Sequence, residues 1–329
     1  MKCGIKMTEL VIVGNGFDRH HDLETSYGSF ALFAEENAPS AYLGLSGLFL
    51  ASSEYMGFSV PDNDDAEKFI YDRWCDFEAC LGLLDEEEFG LRSQEDISEY
   101  MQELGMEEQL VDDFVRNIAS ILDVFRVWVN SIDLPLSRRR NFAFPLSACF
   151  VNFNYTETLE AFYGVERDRI FYIHGRRGTA DKLIVGHDTS PPMPRSKHDL
   201  PDIQFNPFYG YLRLTRKPVE DIEPKLQQWL EKTATIERIS VRGHSLGPVD
   251  LPYFAAIARL YPEARWSFSY FSNEDLDNIQ TLIQFLNLET SAVLSVATLD
   301  EFEVDPATHR NRLMEQSSFY DLMTLKGAE

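Results

Sequence analysis

Four short clusters hold the side chains of this chain best suited to chemistry: Gly14-Asn15-Gly16-Phe17-Asp18, Phe153-Asn154-Tyr155-Thr156, His174-Gly175-Arg176-Arg177 and Gly243-His244-Ser245-Leu246-Gly247. Each follows an apolar, strand-like run. In the first, Leu10-Val11-Ile12-Val13 breaks into a turn bracketed by glycines. Such a turn suits anion binding: without a Cβ the backbone can approach a phosphate, and the next helix offers its positive N-terminus. Asp18 then caps that helix or meets a ribose. Asn154 has two readings, a helix N-cap ahead of Thr156-Glu157-Thr158 or an amide that orients a water or a sugar hydroxyl. His174 ends the run Phe171-Tyr172-Ile173, where an imidazole can act as general base or sit as a satisfied core residue. Gly175 leaves room for a close approach. Arg176 and Arg177 suit a phosphate in so acidic a chain, or lie solvated. Gly186-His187-Asp188 ends a further short run and joins the same candidate site.

The fourth cluster matches the Gly-x-Ser-x-Gly nucleophile elbow, which would make Ser245 the nucleophile of a serine hydrolase. Pro248 stands where the helix after such a serine should already be winding. The only histidine after Ser245 is His309, in a polar stretch. The better reading is a second phosphate- or ribose-binding turn, with Gly243, His244, Ser245 and Leu246 around the ligand and Asp250 near the next helix start. His20 and His21 are adjacent and face different sides of a helix, so they do not share an ion, and no metal is expected. Trp74 and Phe77 read as aromatic core, with Glu78 beside them able to reach a site.

The elements that must position these clusters follow from periodicity. Strands are expected at 9–13, 147–153, 169–173, 183–185, 236–241 and 266–271. Helices are expected at 26–36, 66–84, 108–129, 156–163, 221–231, 250–260 and 274–285. Strands alternating with helices predict an α/β chain: a Rossmann-like, doubly wound, mostly parallel sheet, with ligands beyond the strands' carboxyl ends. Residues 1–39 and 146–285 form its core, 40–145 a large helical insertion or lid, and 286–329 a C-terminal extension. The acidic loop Asp85-Glu86-Glu87-Glu88 lies within the insertion, and Ser137-Arg138-Arg139-Arg140 marks its exit. The Pro-rich stretch 189–218 reads as an irregular loop over the site.

Composition narrows the function classes. Over 329 residues, 54 Asp and Glu against 30 Lys and Arg give a formal charge of −24. Such a surface repels polyanions, so no nucleic-acid partner is expected, and an anionic ligand needs a local cluster of donors. Cys3, Cys75, Cys80 and Cys149 lack zinc-knuckle spacing and read as reduced thiols of a cytoplasmic protein. No apolar run reaches membrane-spanning length, and Met1–Lys6 reads as preceding the natural start at Met7.

The chain resembles the bacteriophage abortive-infection AbiH family. The matching stretches are Val11–Asp18, His21–Tyr27, Trp74–Glu78, Asn152–Thr156, Ile173–Gly175 and Gly243–Asp250. Arg19, His20 and Asp22 depart from the family's usual residues. The resemblance implies antiphage defence inside a bacterial cell by halting growth of the infected host. The same order of motifs is more distantly similar to sirtuin-like (DHS-like) NAD-binding domains. That likeness implies NAD as substrate or ligand, Asn154 holding a water or the nicotinamide ribose, and His174 as base. The glycine turns and Ser245 would hold the pyrophosphate and adenosine side. Thr156 stands where sirtuins carry an acidic residue, and the structural zinc cysteines are absent. Protein deacylation therefore fits less well than hydrolysis of NAD at its nicotinamide–ribose bond. The alternative is a non-catalytic nucleotide sensor that engages a phage or host protein through the helical insertion. An oligomer is compatible with either.

Overall fold

The computed structural model describes residues 8–55, 65–82, 107–135, 142–187, 207–233 and 235–303. The loop at 85–88, the arginine run at 138–140, Asp188, the stretch 189–206, His309, Cys3 and the N-terminal residues lie outside them. The chain forms two compact units. One is Met1–Leu23, Asp133–Ile173 and Glu220–Glu329; the other is Glu24–Ile132 and His174–Val219.

The first unit is built on a sheet. β1 (Thr8–Val13), β2 (Cys149–Asn152), β3 (Ile170–Tyr172), β4 (Ile236–Arg242), β5 (Arg265–Tyr270) and β6 (Val293–Thr298) pair in the order β3-β2-β1-β4-β5-β6. All five pairings are parallel. This is the Rossmann-like, doubly wound arrangement, and its order reverses between β1 and β4. Parallel strands are covered on both faces, which is why Leu10–Val13 and Cys149–Asn152 are buried throughout rather than alternating. The helices α1 (Asn15–His20), α7 (Thr158–Tyr163), α9 (Val219–Glu231), α10 (Leu251–Leu260), α11 (Asn273–Phe285) and α12 (Leu299–Phe302) each follow or lead into a strand. Val11, Val13, Phe17, Phe150, Leu159, Ile170, Ala297 and Phe302 belong to one buried apolar cluster.

The second unit is helical: α2 (Tyr27–Asn37), α3 (Pro39–Tyr55), α4 (Asp65–Cys75), α5 (Phe77–Gly82), α6 (Glu107–Ser131) and α8 (Pro207–Thr215). Ser26 caps α2 by accepting the Ser29 N–H at 3.0 Å. The core is aromatic. Trp74 stacks on Phe77 at 5.4 Å and on Tyr42 at 5.0 Å, and Phe30 meets Phe125 edge-on at 5.1 Å.

Three expectations need correction. The run 183–185 is not a strand: among the described residues its neighbourhood makes a single bridge, His187 with Arg216, without a ladder. Residues 207–215, expected to be irregular, are helical. The C-terminal stretch supplies a sixth strand and a further helical turn. Among the described residues no helix is long and apolar enough to cross a membrane.

The thiols give a first expected result. Burial pushes both Cys80 and Cys149 up to about 12, whereas Cys75 is exposed. The thiolate is the reactive form. Peptide mapping after iodoacetamide at pH 8 should find Cys75 alkylated in the native protein and Cys80 and Cys149 only after denaturation. Native labelling of Cys149 at the rate of Cys75 would contradict this. The neutral thiols also favour the fold below the ordinary value of 9.0, and that contribution is lost as pH climbs through about 12.

Candidate functional site at the strand ends

The carboxyl ends of β1, β2 and β4 meet in the sheet unit. Gly14 takes extended geometry ahead of α1 without any side-chain cap. Its N–H donates to the Arg242 carbonyl at 3.1 Å, the Gly16 N–H to the Gly243 carbonyl at 2.7 Å, and the Phe17 N–H to the Gly14 carbonyl at 2.9 Å. Three donors of the expected phosphate cradle are therefore turned onto the protein's own carbonyls. The glycines answer to this crossing of two backbones. A Cβ on Gly14 would lie 2.7 Å from the His244 Cα, and one on Gly16 2.9 Å from the Gly243 Cα. Gly243 itself has φ +62°.

Asp18 is neither cap nor surface group. It is fully buried and accepts the Thr156 hydroxyl, which lies 3.0 Å from the Thr158 hydroxyl. Asn154 is also buried, and the N-cap of α7 is Glu157 instead. The Asn154 N–H donates to Asn152 Oδ1 at 2.8 Å, and its Nδ2 donates to the Gly14 carbonyl at 3.0 Å. A carbonyl only accepts, so this bond fixes which way the amide points. It leaves Oδ1 as an acceptor that makes no hydrogen bond among the described residues.

The β4 turn is held from within. His244 Nδ1 accepts the Leu246 N–H at 2.8 Å, and its ring packs edge-on against Phe153 at 4.3 Å. Nε2 therefore carries the proton in the neutral imidazole and lies 3.6 Å from Asp250 Oδ2, beyond a hydrogen bond. Ser245 is exposed, and its carbonyl accepts Asn278 Nδ2 at 3.0 Å. The positive φ values fall on Gly243 and Leu246, not on Ser245, and Pro248–Asp250 is a 3-10 turn. A nucleophile elbow puts its strain on the serine. Among the described residues no histidine nitrogen lies within hydrogen-bond distance of the Ser245 hydroxyl.

Arg242 carries no earlier sequence signal. Its Nε and Nη1 are shielded from solvent and make no hydrogen bond among the described residues, and its guanidinium lies 3.3 Å above the Phe302 ring centroid. Burial lowers its pKa to about 10, opposed by Glu9, so the cation persists at neutral pH.

His174, Gly175, Arg176 and His187 belong to the helical unit. His174 is buried and its carbonyl accepts the Ile184 N–H at 2.9 Å. Gly175 has φ +82°, and what approaches it is the Lys182 carbonyl, 2.6 Å from a hypothetical Cβ. Arg176 is partly buried, with Nε shielded from solvent. Arg177 donates to the Val129 and Ile132 carbonyls, capping the C-terminal end of α6. His187 is buried and pairs with the Thr215 hydroxyl at 2.8 Å. Beside it, Glu78 takes the Gly186 N–H at 3.3 Å and the fully buried Lys217 ammonium at 3.0 Å. Lys217, in Arg216-Lys217-Pro218, carries no site signal in the sequence, and only the fold reveals it as interior.

Compared with known proteins, residues 10–270 match the family model described as "Bacteriophage abortive infection AbiH". No curated protein and no solved structure matches the chain.

Proposed function

We infer function from one premise: the chain belongs to the bacteriophage abortive infection AbiH family, a family of antiphage defence. Within that role we propose that the sheet unit binds NAD at the carboxyl ends of β1, β2 and β4 and cleaves its nicotinamide–ribose bond, in the bacterial cytoplasm during infection. The observation that carries this reading is Asn154. Its Nδ2 is held by the Gly14 carbonyl, which leaves the acceptor Oδ1 available to a water or a ribose hydroxyl. The strand order supports it, because ligands of such sheets lie where the order reverses. The sirtuin-like order of motifs supplies the choice of NAD.

In the reaction the C–N glycosidic bond breaks, and nicotinamide leaves with the electron pair. Water, oriented by Asn154, bonds to the oxocarbenium-like ribosyl carbon. Its proton passes to a base, giving ADP-ribose. His174 is the base by the resemblance, and its part rests on its own variant.

Purified protein with NAD should release nicotinamide. Asn154→Ala and His174→Ala should each lower that rate about 100-fold or more, the usual size of a lost positioning or acid–base group. Activity unchanged in Asn154→Ala would overturn the assignment. NAD binding without turnover would favour the sensor reading, for which the helical unit exposes Leu32, Leu43, Tyr71 and Val127 as apolar contacts for a protein trigger.

A further inference from the structure

We propose that His20, Asp300 and Glu303 form a site for a divalent transition-metal ion, Zn²⁺ or Mn²⁺, that clamps α12 to α1 within the sheet unit. One ligand atom from each residue, His20 Nε2 and a carboxylate oxygen from Asp300 and Glu303, lies within 4.8 Å of the others. Nε2 stands 2.5 Å from Glu303 Oε1 and 4.0 Å from Asp300 Oδ1. Donors around a tetrahedral zinc, each at about 2.0–2.2 Å from the ion, sit roughly 3.4 Å apart. The observed spacings bracket that value, so small rotamer changes would seat an ion.

The fold holds each donor in place by a separate device. His21 turns inward, with Nδ1 on the Phe17 carbonyl at 2.7 Å and Nε2 on the Tyr163 hydroxyl at 2.7 Å. That fixes the end of α1 and sends the His20 ring along Phe142 at 5.5 Å. On α12, Thr298 and Glu301 form a capping box, which commits Glu301 to the backbone. Phe302 is buried against Arg242, which sets the rotation of the turn. Asp300 and Glu303, three apart, then share the side toward His20. Two carboxylates so placed repel one another, and a cation offsets that repulsion. The mixed nitrogen and oxygen donors suit zinc or manganese better than calcium or magnesium, which favour all-oxygen shells. Three protein donors leave a further position for water. The adjacent histidines do face apart, as their spacing implies; His20 finds its partners some 280 residues away instead.

Full-length protein stripped with EDTA should bind one Zn²⁺ or Mn²⁺ per chain by calorimetry and melt at a higher temperature with the ion. Asp300→Asn alters an exposed side chain and should fold normally, yet weaken the ion about ten-fold or more. His20→Gln should abolish the thermal shift, and Glu289→Gln, on an exposed acid elsewhere, should leave it intact. Failure of the wild type to bind either ion with unit stoichiometry, or equal affinity in Asp300→Asn, would overturn the site and leave an ordinary His–Glu pair. None of these readouts depends on NAD.

Discussion

Replacing Glu78 by Ala should destabilise the helical unit by about 3–5 kcal/mol, the usual cost of removing one partner from a buried ion pair. The Lys217 side chain is fully buried, and its ammonium meets Glu78 Oε2 at 3.0 Å while Oε1 takes the Gly186 N–H at 3.3 Å. One carboxylate thus ties α5 to two later segments. Gly186 has φ +142° and lets the chain pass against Thr215, whose carbonyl carbon would be 2.6 Å from a Cβ. A domain holds only about 5–15 kcal/mol in all, so the loss is a large fraction of the whole. Urea denaturation followed by tryptophan fluorescence measures it, since Trp74 and Trp128 lie in this unit's core. The double variant Glu78→Leu with Lys217→Met should recover much of the loss, because an apolar pair of similar size avoids desolvating two charges. A loss under about 1 kcal/mol in Glu78→Ala would contradict this account of the pair.

Gly243→Ala should cost a similar amount in the sheet unit, for a different reason. Its φ of +62° penalises a Cβ by about 1–2 kcal/mol. That Cβ would also press on the Phe17 nitrogen and lie 2.5 Å from the Gly16 carbonyl carbon, both backbone atoms that cannot swing aside. Overpacking of this kind adds about 1–3 kcal/mol. Gly247→Ala is the control: φ is −57° and, among the described residues beyond its chain neighbours, no atom lies within 4 Å of its Cβ, so the change should stay within about 0.5 kcal/mol. The comparison, made without ligand, separates two meanings of the glycine turns. Lost stability in the apo protein marks a close backbone crossing. Unchanged stability with weakened NAD binding would return Gly243 to the role of phosphate cradle.

Buried parallel strands were legible because their signal is local and strong. Leu10-Val11-Ile12-Val13 and Ile239-Ser240-Val241 can only sit between covering layers. The aromatic spacing of Trp74 and Phe77 was legible for the same reason. Leu183-Ile184-Val185 carries equal β-propensity but finds no neighbouring ladder among the described residues, and propensity yields to context there. β6 lies at the sheet edge with partly exposed residues at its start, so its pattern is weak. At the candidate site the strand-end clusters were visible, and their hydrogen-bond partners were not. No spacing rule says that Asn154 reaches back 140 residues to Gly14, or that Arg177 caps α6. Gly175 shows the limit: the residue type announces a close approach, and only the fold says that Lys182 makes it.

Hydrogen exchange with and without saturating NAD tests the central claim most directly, because it reads binding whether or not turnover follows. NAD should protect amides at 14–18, 153–156 and 243–247 together, with Asn154→Ala losing that protection. Exchange unchanged across those three turns, or protected equally in Asn154→Ala, would contradict a nucleotide site at these strand ends.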